Sequence, residues 1–317
     1  MKKNYKKKIF FELKLFFKLI AINFLFIINI IIIKINLPNK LKVLLCTIGK
    51  EENKYIKEFI NHYRNLKIKK IILYDNNDIN GEKFNKILNN EIANKFVKII
   101  NYRGFKFPQR KAIDDCYKKN NQYYDWIAFY DIDEFLYINN YTNINEFLSL
   151  PRFKKCQSII INWKYYGDND KLYYEPKPVT QRFTKPFYFN ERRKNNKYMY
   201  SAAKSLVRGG LNIKWKHFPH YLKNIINCRP NGNISINYFS PPQYSIAYIS
   251  HYLTKSTEEF AERLNRGDVI LNVNYFYIKY RIYKYYFFFN SMTKEKIDLL
   301  KKKLKLKIKN INIIFHL

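Results

Sequence analysis

The stretch DWIAFYDIDEFL, residues 125–136, sets an apolar run directly against three carboxylates, Asp131, Asp133 and Glu134. An apolar run of this length between polar flanks is typical of a buried β-strand. If the chain is still extended where the run ends, Asp131 and Asp133 lie on the same side of the strand. Two carboxylates placed in this way can share one divalent cation, and Mg²⁺ and Mn²⁺ accept such oxygen ligands. The tripeptide D-x-D is common by chance. The interpretation as a cation site therefore depends on the position of the tripeptide directly after a predicted strand.

The segments around this stretch alternate between strand and helix patterns. Apolar runs predict strands at residues 41–49, 69–78, 96–103 and 125–136, and helical spacing predicts helices at 50–66 and 108–120. This order predicts an α/β fold with a mostly parallel central sheet. Ligands of such sheets bind at the carboxyl ends of the strands, where this chain carries YDNND and YDIDE. The placement favours a site for a metal ion and a nucleotide diphosphate.

The composition bounds the class of protein. The chain has 317 residues, 47% of them hydrophobic, which is ample for an enzyme-sized core. A net charge of +34 would usually indicate a polyanionic partner. However, Lys, Asn, Ile, Tyr and Phe are enriched together and share A/T-rich codons, so genome composition explains much of the charge. Zinc-finger spacing, RNP-like aromatic motifs and basic heptads are missing from the sequence, and no nucleic-acid partner is expected.

The four cysteines, Cys46, Cys116, Cys156 and Cys228, are widely spaced and contain no C-x-x-C pair. A zinc cage is therefore not expected, whereas one or two disulfides are compatible with the sequence in any pairing. Sequons at Asn140 and Asn233 would matter in a secretory lumen, but two chance matches are expected in so Asn-rich a chain.

The amino terminus, residues 1–40, predicts a basic cytoplasmic tail followed by a membrane anchor. Its uncharged centre, residues 19–33, is short for a span, but snorkelling of Lys18 and Lys34 extends it to residues 15–37. Lysines before the run favour a cytoplasmic amino terminus, which gives a single-pass type II protein. That orientation corresponds to the Golgi or secretory pathway in a eukaryote and to the inner membrane in a bacterium. The alternative is a helix lying on the membrane surface.

Five sequence blocks together resemble glycosyltransferase family 92 and related GT-A enzymes grouped with family 2. They are EENKYIKEFINHYRNLKIKKIILYDNND, PQRKAIDDC, DWIAFYDIDEFL, INWKYYGDND followed by QRF, and ISHYLTKSTEEFAERLNRGD. The resemblance covers roughly residues 41–268. It implies a GT-A fold, a Mn²⁺ or Mg²⁺ ion and a nucleotide-sugar donor, with a UDP-sugar as the expected donor. It also implies transfer of a hexose, with galactose favoured, to a glycan acceptor.

The resemblance assigns roles to individual donor-site residues. Asp131 and Asp133 match the family D-x-D, with Asp133 on the metal and Asp131 on the donor ribose or on the metal. Asp75 matches the acidic residue that contacts the nucleoside, although a turn aspartate bonded to its own backbone is the alternative. Gln109 and Arg110 open the helix before the D-x-D strand and are expected to face the donor, or else to form an ordinary solvated helix start.

Later blocks supply the remaining candidates. His251 matches a histidine that completes the metal site, which suits Mn²⁺, with His217 and His220 as competitors. Arg266 and Gly267 match an R-G element in which the guanidinium neutralises the leaving diphosphate.

The catalytic base of an inverting transfer would be a carboxylate that accepts the proton of the acceptor hydroxyl. Asp168 and Asp170 follow the expected fifth strand, where the family tends to have small residues, and Glu191 is a rival.

The expected organisation is an anchor at residues 1–40, a catalytic domain at 41–290 and a basic helix or tail at 291–317. Two other functions fit the same site. A nucleotidyltransferase would consume a nucleoside triphosphate and release pyrophosphate. A non-catalytic protein that binds anionic glycans or nucleic acid would be unaffected by changing Asp131 and Asp133 to Asn.

Overall fold

The computed structural model describes residues 41–106, 108–187, 202–213, 219–235, 241–267, 281–282 and 290–304. The predicted membrane anchor at residues 1–40 lies outside these ranges. None of the helices within them is both long and apolar enough to span a bilayer.

The first half of the chain forms a parallel sheet. Its strands are β1 (Val43–Gly49), β2 (Lys70–Asp75), β3 (Val97–Asn101) and β4 (Trp126–Phe129), in the spatial order β3-β2-β1-β4. The connecting helices are α1 (Ile56–Asn65), α2 (Asn89–Ala93) and α3 (Gln109–Asn120), with a 3₁₀ turn at Phe84–Lys86. All seven residues of β1 are buried, as expected of a central strand covered on both faces. The predicted strands and the helices α1 and α3 follow one another in the expected order, but the short helix α2 between β2 and β3 was not predicted.

The second half makes the sheet mixed. Its strands are β5 (Glu134–Ile138), β6 (Ser158–Tyr165), β7 (Ala203–Arg208), β8 (Asn227–Cys228) and β9 (Ala247–His251). Its helices are α4 (Ile144–Leu148), α5 (Val179–Arg182), α6 (Thr257–Arg266) and α7 (Lys294–Lys303), with a 3₁₀ turn at Pro151–Phe153. The order continues as β4-β7-β6-β9-β5, with β8 beside β6. Strand β7 runs antiparallel to both β4 and β6, and β5 runs antiparallel to β9, whereas β6 is parallel to β8 and β9. The sheet is therefore mixed, with parallel pairing throughout the first half and in part of the second.

The stretch DWIAFYDIDEFL is two strands and not the single strand that its apolar run predicts. Strand β4 ends at Phe129, and β5 leaves the parallel half to pair antiparallel with β9. Between them the chain turns: the Glu134 amide donates to the Asp131 carbonyl (3.0 Å), and the Asp131 amide donates to Glu134 Oε2 (3.1 Å). The extended geometry expected for Asp131 and Asp133 is therefore wrong, because a carboxylate side chain closes a tight turn at that point.

Alternate residues of the central strand β1 belong to two hydrophobic cores on opposite faces of the sheet. Val43 and Leu45 pack with α1, while Leu44, Cys46 and Ile48 pack with α3. The cysteines form two buried disulfides, Cys46–Cys116 and Cys156–Cys228, and none is free. The first disulfide ties β1 to α3, so the sheet and the helix that precedes the acidic turn are covalently linked.

Helix α1 contacts β5 through two polar side chains. The Tyr63 hydroxyl donates to the Glu134 carbonyl (2.8 Å) and accepts from the Leu136 amide (3.1 Å). His62 Nε2 lies 2.8 Å from the Leu136 carbonyl, and burial lowers the pKa of this ring to about 4. The neutral imidazole is therefore the form that fits between α1 and β5.

The lowered pKa of the partly buried His62 predicts a loss of stability in mild acid. In the unfolded chain His62 takes up a proton near its ordinary pKa of 6.5, whereas in the folded chain it does so only near 4. Its contribution is complete above pH 6.5 and is lost as the pH falls from 6.5 towards 4, by about 1–2 kcal/mol between pH 7 and pH 5. His62→Gln keeps a donor for Leu136, so its free energy of unfolding, measured by denaturant titration at both pH values, should decline less than that of the wild type. Equal declines in the two proteins would contradict this account.

Candidate functional site

The carboxyl ends of the parallel strands meet at one edge of the sheet, as the sequence predicted. Gly49 at the end of β1 is in register with Asp75 at the end of β2, and Asp75 with Asn101 at the end of β3. A Cβ on Gly49 would lie 2.5 Å from the Cδ1 of Ile132, the central residue of the D-x-D turn. Glycine at this position therefore lets the acidic turn pack directly on the end of β1.

An acidic cluster lies beyond this edge. Asp133, Glu134 and His251 are all buried, and one ligand atom from each lies within 4.8 Å of the others. Antiparallel pairing of β5 with β9 places Glu134 opposite His251, and His251 Nε2 lies 3.7 Å from Asp133 Oδ2. Two carboxylates and one imidazole are a ligand set that suits Mn²⁺.

The imidazole of His251 supports this interpretation. Its Nδ1 atom is buried and has no hydrogen-bond partner among the described residues. Burial lowers the pKa of His251, although the charge of Asp133 opposes the shift, so the neutral ring is favoured. A neutral imidazole is the form that binds a metal. The residues therefore fit a divalent ion held by Asp133, Glu134 and His251.

Asp131 lies beside this cluster but outside it. Its carboxylate accepts from Lys204 Nζ (2.8 Å) and from Gln109 Nε2 (3.2 Å). The group of possible ligands contains Glu134 in the place that the sequence interpretation gave to Asp131. Gln109 contacts the acidic turn, whereas Arg110, next to it on α3, is exposed.

Two cations compensate the buried carboxylates. Lys204 Nζ on β7 lies 2.8 Å from Asp131 and 3.4 Å from Glu134 Oε1, and Arg263 on α6 forms an ion pair with Asp133. Burial tends to raise the pKa of Asp133, but Arg263 and His251 outweigh it and hold this pKa well below its usual range. For Glu134 burial prevails over Lys204 and raises the pKa well above its ordinary value. The cluster thus combines an ionised aspartate with a glutamate that is far more readily protonated.

Asp75 is held by its surroundings at the end of β2. It accepts from the Asn77 backbone amide and side chain, and it forms an ion pair with Arg103 (2.9 Å). Asp75 and Arg103 also border a cavity of about 760 Å³ along β3. Asp75 therefore makes the local turn contacts of the alternative interpretation, and it also borders a cavity beside β3.

Helix α6 carries the R-G element. Ser256 and Glu259 form a capping box at its start, and Gly267 ends it with a φ of +89°. Arg266 Nη1 lies 2.5 Å from Glu52 Oε1 and donates to the Lys50 carbonyl (2.7 Å), both in the loop after β1. Arg266 therefore contacts the loop that follows Gly49 at the carboxyl end of β1.

The two candidate bases contact the carboxyl-terminal helix. Asp168 is buried and lies 2.8 Å from Lys296 Nζ, and the more exposed Asp170 is also 2.8 Å from that atom. Hydrogen bonds from Lys296 and Ser291 lower the pKa of Asp170. Their rival Glu191 lies outside the described residues.

The competing histidines separate in the structure. His220 Nδ1 lies 2.7 Å from the Ala203 carbonyl, and burial lowers its pKa to about 4. It is not part of the Asp133 cluster as described, and His217 lies outside the described residues. Among the three candidates, only His251 is described within that cluster.

Three basic residues at this edge were not predicted. Arg263 could have been found, because it lies three residues before Arg266 and so on the same face of α6. Lys255 lies in the same sequence block and is buried. Lys204 gives almost no signal, since it is a single lysine in the strand AKSLVR and its partners are about 70 residues away.

Comparisons with known proteins found similar solved structures. Three crystal structures of S. aureus TarS are similar to the chain at low identity. The first shows 14% identity and a TM-score of 0.39, covering 83% of this chain and 43% of that TarS chain, so this chain spans less than half of its length. The structure of TarS 1-349 shows 15% identity and a TM-score of 0.36, covering 83% of this chain and 71% of that one. The structure of TarS 1-349 in complex with UDP shows 11% identity and a TM-score of 0.39, covering 86% of this chain and 83% of that one. No protein of curated function matches the sequence.

The family model of glycosyltransferase family 92 matches residues 40–307. This match extends over both halves of the sheet and includes the D-x-D turn, His251 and α6. The chain therefore belongs to glycosyltransferase family 92.

Proposed function

We propose that this glycosyltransferase is metal-dependent and transfers a hexose from a nucleotide-sugar donor to a glycan acceptor. The observation that carries the proposal is the buried cluster of Asp133, Glu134 and His251 at the carboxyl edge of the sheet. Membership of family 92 supplies the reaction class. The GT-A arrangement, a UDP-sugar as donor and galactose as the sugar are the finer parts of the proposal and rest on the sequence resemblance.

Each residue at the edge has a proposed part in binding the donor. Asp133, Glu134 and His251 hold the ion, which when bound supplies positive charge to the leaving diphosphate. Lys204 and Gln109 fix the carboxylate of Asp131 by hydrogen bonds, which positions it for the donor ribose. Asp75 contacts the nucleoside, and Arg266 adds charge beside the diphosphate.

The proposed stereochemical course is inversion. Of the two candidate bases, Asp170 has the accessible carboxylate, with 71% of its side chain exposed, against 3% for Asp168. Lys296 and Ser291 hold the Asp170 carboxylate in place by hydrogen bonds. The same contacts lower its pKa, so it is ionised as a base must be but is a weaker base than an unpaired aspartate. We assign proton abstraction from the acceptor hydroxyl to Asp170 and a supporting role, through Lys296, to Asp168.

The test of the proposed function is release of nucleoside diphosphate from a panel of nucleotide sugars by the full chain in detergent. We expect Mn²⁺-dependent release from one donor, and Asp133→Asn should lower kcat/KM by about 100-fold or more because it removes a metal ligand. Asp114→Asn is the matched control, since Asp114 pairs only with Lys118 on the exposed side of α3 among its described contacts and should keep wild-type activity.

Other outcomes of this assay would contradict the proposal. Pyrophosphate release from a nucleoside triphosphate would indicate a nucleotidyltransferase. Failure of the folded protein to use any donor, even with acceptor glycans present, would favour a binding protein. Wild-type turnover by Asp133→Asn would overturn the metal site.

We also propose that residues 1–40 anchor the enzyme in a membrane as a type II protein. The two disulfides support a catalytic domain on the side away from the reducing cytosol. The full chain should stay in the membrane pellet after an alkaline wash, and a chain that begins at Leu41 should be recovered in the supernatant. Release of the full chain by the wash would contradict the anchor and favour a helix lying on the surface.

A further inference from the structure

The ion pair between Arg263 and Asp133 occupies the proposed metal site. Arg263 Nη1 contacts Asp133 Oδ2, the same oxygen that lies 3.7 Å from His251 Nε2. The same nitrogen of Arg263 donates to the Leu253 carbonyl (3.1 Å). A divalent ion bound between Asp133 Oδ2 and His251 Nε2 would meet the guanidinium at the same oxygen, and the two positive charges would repel each other.

The two cations at the acidic turn differ in their freedom to move. The Lys204 side chain is 2% exposed and lies between Asp131 and Glu134, whereas the Arg263 side chain is 27% exposed. Withdrawal of Lys204 would leave carboxylates buried without a counter-charge, which is costly. Arg263 has an alternative position, because it borders a cavity of about 220 Å³ between α6 and the loop after β1.

This α6 cavity is suited to an anion. Lys255, Arg263 and Arg266 line its α6 side. Lys255 is 5% exposed, contacts the Tyr55 ring at 4.4 Å and makes no hydrogen bond within the described parts of the chain. A buried ammonium group with unused donors indicates a ligand that accepts hydrogen bonds and carries negative charge.

Glutamates also line the α6 cavity, but most of them have partners. Glu259 forms a bidentate ion pair with Arg182 (2.7 and 2.8 Å), and Glu262 lies 2.9 Å from Lys54 Nζ. Glu82 accepts from the Asn53 amide (3.0 Å). Glu259 and Glu262 are therefore paired with cations other than Lys255.

We infer that Arg263 is an exchangeable counter-ion that leaves Asp133 for the donor diphosphate in the α6 cavity, so that metal and nucleotide bind cooperatively. This inference rests on the proposed nucleotide-sugar function. A diphosphate in the α6 cavity attracts Arg263 and frees the Asp133 carboxylate for a divalent ion. By linkage, the ion strengthens nucleotide binding by the same factor. Arg263 acts as a positioning residue for the metal site.

The test is a Mn²⁺ titration of the full chain, followed by electron paramagnetic resonance of the free ion, with and without UDP. Chelation of Mn²⁺ by UDP is subtracted with a protein-free titration. We expect UDP to tighten Mn²⁺ binding by the wild type about tenfold, within the usual range of coupling between ligands. Arg263→Gln should bind Mn²⁺ alone about tenfold more tightly than the wild type and gain little from UDP.

Two further variants separate this role from a structural one. Arg263→Lys keeps a cation beside Asp133 and should retain weak Mn²⁺ binding alone and the response to UDP, whether or not Arg263→Gln folds. Arg64→Gln removes an arginine that pairs with Glu91 (3.5 Å) away from the site, and it should titrate like the wild type.

The outcomes distinguish this inference from the proposed function. Equal Mn²⁺ affinity of wild type, Arg263→Gln and Arg263→Lys without UDP would overturn the exchange even if the enzyme turns over a nucleotide sugar. So would loss of the UDP response in Arg263→Lys. No Mn²⁺ binding by the wild type, with or without UDP, would overturn the metal site and the exchange together.

Discussion

Compensation of buried negative charge at the Asp131–Glu134 turn is the constraint on which the rest of the structure depends. Three carboxylates lie within four residues, and Asp133 and Glu134 are almost fully buried. An uncompensated carboxylate in such surroundings would cost several kcal/mol. Lys204 comes from β7 and Arg263 from α6, so elements far apart in sequence are drawn to one turn. The mixed second half of the sheet brings these cations to the edge that the parallel half creates.

The position of α6 depends on a second buried ion pair. Arg182 contacts both oxygens of Glu259, and each side chain is 1% exposed. Glu259 also accepts from Tyr55 Oη (2.8 Å) and completes the capping box with Ser256. Burial opposes the shift, but hydrogen bonds from Arg182 and Ser256 lower the pKa of Glu259 to about 2. Removal of Arg182 would leave Glu259 charged and buried at the start of α6. The helix that carries Arg263 and Arg266 is thus fixed at its amino-terminal end, while its arginines face the cavity.

Local sequence patterns were sufficient for the first three strands, for the start of the fourth and for α1 and α3, because apolar runs and helical spacing report burial directly. They failed at DWIAFYDIDEFL, where the Glu134 carboxylate accepts from the Asp131 amide and closes a turn inside an apolar run. Hydrophobic periodicity and secondary-structure propensity do not report a hydrogen bond between a side chain and the backbone. The place of His251 beside Asp133 and Glu134 was expected only from family resemblance, since pairing of β9 with β5 is a long-range event. Lys204 could not be assigned for the same reason.

The central claim is that Asp133, Glu134 and His251 form the metal site of a glycosyltransferase of family 92. The most direct measurement is anomalous diffraction at the manganese edge from crystals of the protein grown with Mn²⁺ and UDP. The account predicts one strong peak within about 2–2.5 Å of a carboxylate oxygen of Asp133 and of a ring nitrogen of His251. A peak at Asp168 and Asp170, or bound UDP with no manganese peak beside Asp133, would contradict it.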